Sequence, residues 1–276
     1  VKAFFPVLPA LFLLGILAAC NKPVGSSTPH GGAARPAHWG YEGKDGPEYW
    51  PTLNPAYAAC GQGKNQSPIN ITQSAAGDAK SWKFDYKTTS LKIAHHEHVT
   101  DIVDNGHTIQ VSVDGGSTLT TERGVYTLKQ FHFHTPSEHT IDGSHFPMEM
   151  HFVHQSADGR FAVVAALFQE GEENVNLAKI IPHLPAAKGA KADLPEVRLE
   201  LSFHLPDSKA AYTYMGSLTT PPCTESVEWL VFRDPVPAST AQLEAFASRL
   251  SPSNRPVQPL HGRVIGSRTT VNKVSR

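Results

Sequence analysis

Apolar positions along residues 38–276 recur mostly with a period of two. The stretches Trp82 to Tyr86, Asp101 to Val103, Thr108 to Val113, Gly124 to His134, Met148 to Gln155 and Phe161 to Phe168 are rich in β-branched and aromatic residues and bounded by turn residues, which predicts strands. Asp158-Gly159 between the last two supplies the positive φ angles of a tight turn, so those two strands should pair antiparallel. The period becomes helical in two places. Asn174 to Ile181 sets Val175, Leu177, Ile180 and Ile181 at roughly helical spacing before Pro182, and Ser239 to Leu250 sets Leu243, Phe246 and Leu250 on one face. Ser239 with Gln242 makes a capping box, and Pro252 stops the chain just beyond. Residues 38–276 carry no internal repeat. They are predicted to form a mainly β single domain with a large, mostly antiparallel central sheet and a few short peripheral helices.

The first 37 residues follow neither period. Lys2 precedes an apolar run, Phe4 to Ala19, that Pro6, Pro9 and Gly15 interrupt and that is short for a bilayer span of roughly 20 residues. Residues 1–19 therefore read as an export signal. The run ends in Leu17-Ala18-Ala19-Cys20, which resembles the lipobox of bacterial lipoproteins, where the cysteine is lipidated and becomes the mature N-terminus. Residues 20–37, rich in Gly, Pro, Ser and Ala, cannot bury enough surface to offset chain entropy and read as a flexible linker. The expectation is an exported protein, in the periplasm or at the cell surface, attached to a membrane through Cys20.

Charge and cysteine content narrow the picture. A formal charge of −1 leaves no basic face for phosphate backbones, which argues against nucleic-acid binding. Once Cys20 is set aside, Cys60 and Cys223 are the only pair left, and in an oxidising compartment a disulfide between them is the economical reading; the alternative is two buried thiols.

The fifteen histidines matter through their placement. Alternation along Gly124 to His134 puts Gln130, His132 and His134 on one face and Phe131 and Phe133 on the other. The same parity groups Glu149, His151 and Val153. Three neutral imidazoles with the fourth corner open suit a catalytic zinc, whereas structural zinc wants a closed set. Gln130 and Glu149 stand two residues from a candidate ligand on the same face, where they can accept the other ring N–H.

The stretches His38-Trp39-Gly40-Tyr41, Gln66-Ser67-Pro68-Ile69-Asn70-Ile71, Asn105-Gly106-His107, Gln130 to His134, Ser137-Glu138-His139, Glu149 to His154 and Gly216 to Pro222 occur in an order that resembles the alpha-class carbonic anhydrases. Thr135-Pro136 and the cysteine pair resemble the bacterial branch of that family. The resemblance implies reversible hydration of carbon dioxide to bicarbonate and a proton, by zinc-bound hydroxide with a histidine proton shuttle. It implies zinc ligands at His132, His134 and His151, with Gln130 and Glu149 hydrogen-bonded behind them. It implies that Thr219 relays a hydrogen bond to Glu138, that Thr220 lies near bicarbonate, and that Val153, Val163, Leu218, Val227 and Trp229 form the apolar wall for carbon dioxide. His107 matches the proton shuttle and Tyr41 the water network leading to it.

Other histidines are read without catalytic roles. His95-His96-Glu97-His98 reads as a solvated loop, His154 has the wrong parity for the cluster, and His139 is expected to make internal hydrogen bonds. Ser137-Glu138-His139 could suggest a hydrolase, but no Gly-x-Ser-x-Gly elbow accompanies it. The rival to an enzyme is a non-catalytic zinc-binding lipoprotein of the same fold. Intact His132, His134, His151, Glu138 and Thr219 favour the enzyme.

Overall fold

In the computed structural model, residues 38–72, 82–95, 108–250 and 252–268 are described. Along the chain come α1 (Trp50–Leu53), α2 (Ala59–Gln62), β1 (Asn70–Ile71), β2 (Lys83–Asp85), β3 (Thr88–His95), β4 (Ile109–Ser112), β5 (Thr118–Thr121), β6 (Gly124–His134), β7 (Thr140–Ile141), β8 (Ser144–His145), β9 (Met148–Ser156), β10 (Phe161–Glu170), α3 (Val175–Ile180), β11 (Lys191–Glu200), β12 (Ala211–Ser217), β13 (Glu225–Phe232), β14 (Val236–Ala238), α4 (Thr240–Leu250) and β15 (Gly266–Arg268). Twelve of the strands make one sheet, whose main path runs β11-β3-β4-β6-β9-β10-β13-β12-β15; β5 joins β6 to β2, and β14 pairs with β10. All its pairings are antiparallel except β10 with β13 and β10 with β14. The expectation of a large, mostly antiparallel sheet with short helices holds.

The local signals act as their chemistry predicts. The Asp158-Gly159 turn joins β9 to β10, with Gly159 at φ 85° and its N–H donating to Ser156 O at 3.0 Å. Asn174 caps α3 by accepting from the N–H groups of Asn176 and Leu177, each at 3.1 Å. The Ser239–Gln242 capping box forms in both directions, at 3.1 and 3.3 Å. The expected strand Asp101 to Val103 lies outside the described residues. Several observed strands lack the expected pattern. β11 is an edge strand with a register shift between Leu194 and Arg198, spanning Pro195, and it carries exposed charges that hide it from a search for apolar alternation.

Both faces of the sheet are filled. Phe131, Phe133 and Phe152 point to one face, where Phe133 meets Phe246 of α4 at a ring distance of 4.4 Å. Each such ring, fully buried, contributes about 1.5–3 kcal/mol of hydrophobic stabilisation. The other face carries Ile69, Val153, Val163, Ala165, Tyr214, Val227 and Trp229. A third cluster, of Trp39, Trp50, Tyr57, Cys60 and Cys223, forms round the first helices.

Strand β6 changes phase part-way. Leu128 faces His154 and Gln130 faces Val153, so Lys129 is the extra residue of a bulge. Tyr126 and Leu128 therefore join the phenylalanine-rich core, while Gln130, His132 and His134 look the opposite way. Simple alternation from Gly124 would have put all five on one face.

Candidate active site

The register of β6 on β9 sets His132 opposite His151, His134 opposite Glu149 and Gln130 opposite Val153. The two same-face sets become one patch. The ring centroids lie 5.0 Å apart for His132 and His134, 5.2 Å for His132 and His151, and 4.7 Å for His134 and His151. All three rings are buried and form a group able to hold a metal ion.

Each ring is oriented by a bond to one nitrogen. His132 Nδ1 donates to Gln130 Oε1 at 2.8 Å, His134 Nδ1 to the carbonyl of Ser253 at 2.5 Å, and His151 Nε2 to Glu149 Oε1 at 2.7 Å. His132 Nε2, His134 Nε2 and His151 Nδ1 are the nitrogens turned inward. Burial pushes the His134 ring below its ordinary pKa, although the Glu138 charge opposes this, so the neutral form that ligates metals is favoured. His134 Nε2 is buried with no hydrogen-bond partner. Leaving such an atom unpaired costs about 1–3 kcal/mol, and a metal ligated at that nitrogen removes the anomaly. The donor set fits zinc.

Glu149 anchors more than one ligand. Its Oε2 accepts from the backbone N–H groups of Glu138 and His139, each at 2.8 Å, and its Oε1 also accepts from His139 Nδ1 at 2.7 Å. Burial would raise this carboxyl, but the facing His139 and His151 outweigh it and hold the pKa well below the usual carboxylate range. His139 Nε2 in turn accepts from Tyr214 OH at 2.7 Å, and Tyr214 OH accepts from Ser67 Oγ at 2.8 Å. Ser67 is bonded in both directions to Ser217, just before Leu218-Thr219-Thr220. His139 is thus internal, as expected. So is His154, which lies on the opposite face, donating to Ala162 O and accepting from Tyr86 OH.

The cleft beside the three histidines is lined by Gln130, Val153, Val163, Leu218, Thr219, Thr220 and Trp229. Val227 is buried in the same apolar cluster but does not line the cleft. Glu138 is fully buried; its Oε1 accepts from the backbone N–H of Arg255 at 2.9 Å, and its Oε2 has no hydrogen-bond partner. The implied bond from Thr219 to Glu138 is therefore not formed. Instead Oε2 turns toward the imidazoles, 3.6 Å from His134 Nε2 and 3.9 Å from His151 Nδ1. Tyr41 packs its ring on Trp39 and Trp50; burial first, then the charge of Glu138, raises its pKa well above the ordinary value. Cys60 and Cys223 form the expected disulfide, with Cα atoms 5.1 Å apart. His107 and Cys20 lie outside the described residues.

Three contributors go unmarked by the sequence motifs. Ser253 orients His134 across 119 positions of chain. Arg255, with a fully buried side chain, donates to Gln66 Oε1, Ser67 O and Cys60 O, tying the first helices to the floor of the site. Gln110 faces His132 from β4, and its Oε1 is buried without a partner. Alternation in Thr108 to Val113 could have found Gln110 alone.

A β-sheet that presents a buried three-histidine metal group beside an apolar-walled cleft defines a class before any comparison. Residues 45–269 match the profile of a family described as eukaryotic-type carbonic anhydrase. A carbonic anhydrase of Pectobacterium carotovorum is 44% identical over 229 residues, 83% of this chain and 90% of that protein. One of Neisseria gonorrhoeae is 42% identical over 263 residues, 94% of this chain and 96% of that protein. The solved alpha-carbonic anhydrase of Thermovibrio ammonificans, in complex with the inhibitor sulfanilamide, matches with a TM-score of 0.78 at 40% identity, covering 83% of this chain and 99% of the other. The chain belongs to the alpha-class carbonic anhydrase family.

Proposed function

We propose that this protein catalyses the reversible hydration of carbon dioxide to bicarbonate and a proton, with zinc held by His132, His134 and His151. The observation that supports this most is the pairing of three inward nitrogens with an apolar wall on the same sheet face. When bound, zinc lowers the pKa of a coordinated water toward neutrality, an effect for which carbonic anhydrase itself is the standard example. The residues of this chain supply the rest. Val153, Val163, Leu218 and Trp229 offer carbon dioxide, which has no charge to grip, a dry surface against which to lie.

Glu138 works through Thr219. With Oε1 already taken by Arg255 N–H, its free oxygen is the acceptor available to the Thr219 hydroxyl. A threonine that donates there has only lone pairs left on its other side, so it accepts a hydrogen bond from the attacking oxygen and turns a lone pair of that oxygen toward carbon dioxide. Thr220 lies beside it to receive bicarbonate. Tyr41, kept protonated, offers a fixed donor to the proton route, and His107, whose side-chain pKa lies near 6.5 when unperturbed, carries the proton to bulk.

Stopped-flow hydration of carbon dioxide tests this reading. The zinc-loaded protein should be active and the chelated protein inactive. His132→Ala should lose both metal and activity by more than the about 10–100-fold expected for losing an outer partner such as Glu149. His107→Ala should lower turnover in dilute buffer, be rescued by imidazole, and leave kcat/KM nearly unchanged. Full activity in the chelated protein and in His132→Ala would overturn the assignment.

The exported, lipid-anchored state is part of the same proposal. Mass spectrometry of the membrane fraction should find an acylated N-terminal Cys20, and Cys20→Ser should leave the protein soluble or uncleaved. A mature, unlipidated N-terminus elsewhere would remove the anchor.

A further inference from the structure

Another cavity lies where β5, β12, β13 and the approach to β15 meet. Glu228 alternates with Trp229 along β13, so its side chain leaves the strand on the face away from the histidines. The cavity measures about 350 Å³, within the roughly 300–1,000 Å³ usual for small-molecule sites. Trp82, Met215 and Val264 supply apolar wall, Thr121 and Thr213 supply hydroxyls, and Arg123 and Glu228 supply charge.

Glu228 is the unusual member. It is 6% exposed, yet both of its described contacts go to one oxygen: Tyr126 OH donates to Oε1 at 3.3 Å, and Arg123 Nε stands 3.3 Å from the same atom. The Arg123 side chain is half exposed, and Nη1 reaches out to Met215 Sδ at 3.7 Å. An exposed guanidinium on one oxygen offsets little of the cost of burying a carboxylate. Neither described contact goes to the second oxygen, Oε2, and Glu228 lines the cavity.

We propose that this cavity binds a small primary ammonium ion carrying an aromatic or apolar group. An ammonium has three N–H donors and no acceptor. Glu228 Oε2 takes one, the threonine hydroxyls suit the others, and the indole of Trp82 faces both the cation and its apolar body. A second carboxylate, Glu122, lines the same cavity and disfavours anions. A neutral alcohol of the same shape forgoes the charge-assisted bond. The site uses none of the metal-group residues and shares only Trp229 with the lining of the cleft beside the histidines, and its test reads no zinc chemistry.

Titration of isotope-labelled full-length protein with benzylammonium, followed through the indole N–H resonance of Trp82, tests the proposal. A saturable shift is expected in the native protein. Glu228→Gln should weaken it about tenfold or more, and benzyl alcohol and benzoate should bind the native protein about tenfold or more weakly than benzylammonium. Met215→Trp, at the position paired with Glu228 across β12 and β13, fills the cavity while keeping the carboxylate in the sequence and should abolish the shift, which keeps the test decisive if Glu228→Gln fails to fold. No saturable Trp82 shift, equal affinity in Glu228→Gln, undiminished binding in Met215→Trp, or benzoate binding as tightly as benzylammonium would each overturn it.

Discussion

His154 and His204 are buried on the phenylalanine-rich side of the sheet, and burial pushes the pKa of each down to about 3. His204 has neither ring nitrogen bonded, whereas His154 has both. In the unfolded chain each takes up a proton below about pH 6.5, but the folded protein resists until about pH 3. Stability is therefore undiminished above pH 6.5 and is lost as pH falls from 6.5 toward 3, with a slope of about 1.4 kcal/mol per pH unit for each ring. His204→Leu removes one of these liabilities. Urea unfolding should show the variant gaining about 2 kcal/mol more relative to the native protein at pH 5 than at pH 8. An equal difference at both pH values would mean that His204 does not titrate on unfolding. Parity was enough to bring His132, His134 and His151 to one face and to send His154 to the other. It could not find Ser253 or Arg255, because a backbone carbonyl has no residue signature and a buried arginine reads as a surface one until its partners at positions 60, 66 and 67 are placed.

At the scale of elements, the bulge at Lys129 decides which half of β6 serves the core and which serves the site, and no alternation rule reports an added residue. Two of the strands that alternation misses show why it does. β11 is a charged edge, while β12 includes Gly216, where an added Cβ would stand 2.1 Å from Ser67 Oγ and 2.9 Å from the Trp229 ring. That glycine is there for close approach, which a propensity reading counts against a strand. The loop after β12 is held from its far end by the disulfide: Cys223 N–H donates to Thr220 O at 2.8 Å, and Cys60 lies in α2. The two cysteines are 163 positions apart, for which chain entropy alone gives about 5 kcal/mol of stabilisation, an upper figure. Reduction should lower the melting temperature by several degrees and impair hydration activity more than zinc content, because the tether meets the Thr219-Thr220 segment and none of the metal group. Equal loss of zinc and activity on reduction would refute that division.

For the whole molecule, the sheet's architecture and its mostly antiparallel pairing were legible from period-two patterning, but the order of its strands was not, since non-neighbours in sequence such as β4 and β6 or β10 and β13 lie side by side. That order has a meaning in time as well as in space. β6 and β9 are close along the chain, and between them they hold all three imidazoles together with two of the acceptors that orient them, Gln130 and Glu149. Ser253, Arg255 and the Thr219 loop are synthesised later, and their contacts close over much longer stretches of chain. A nascent chain thus acquires the means to chelate before it acquires the means to select a substrate.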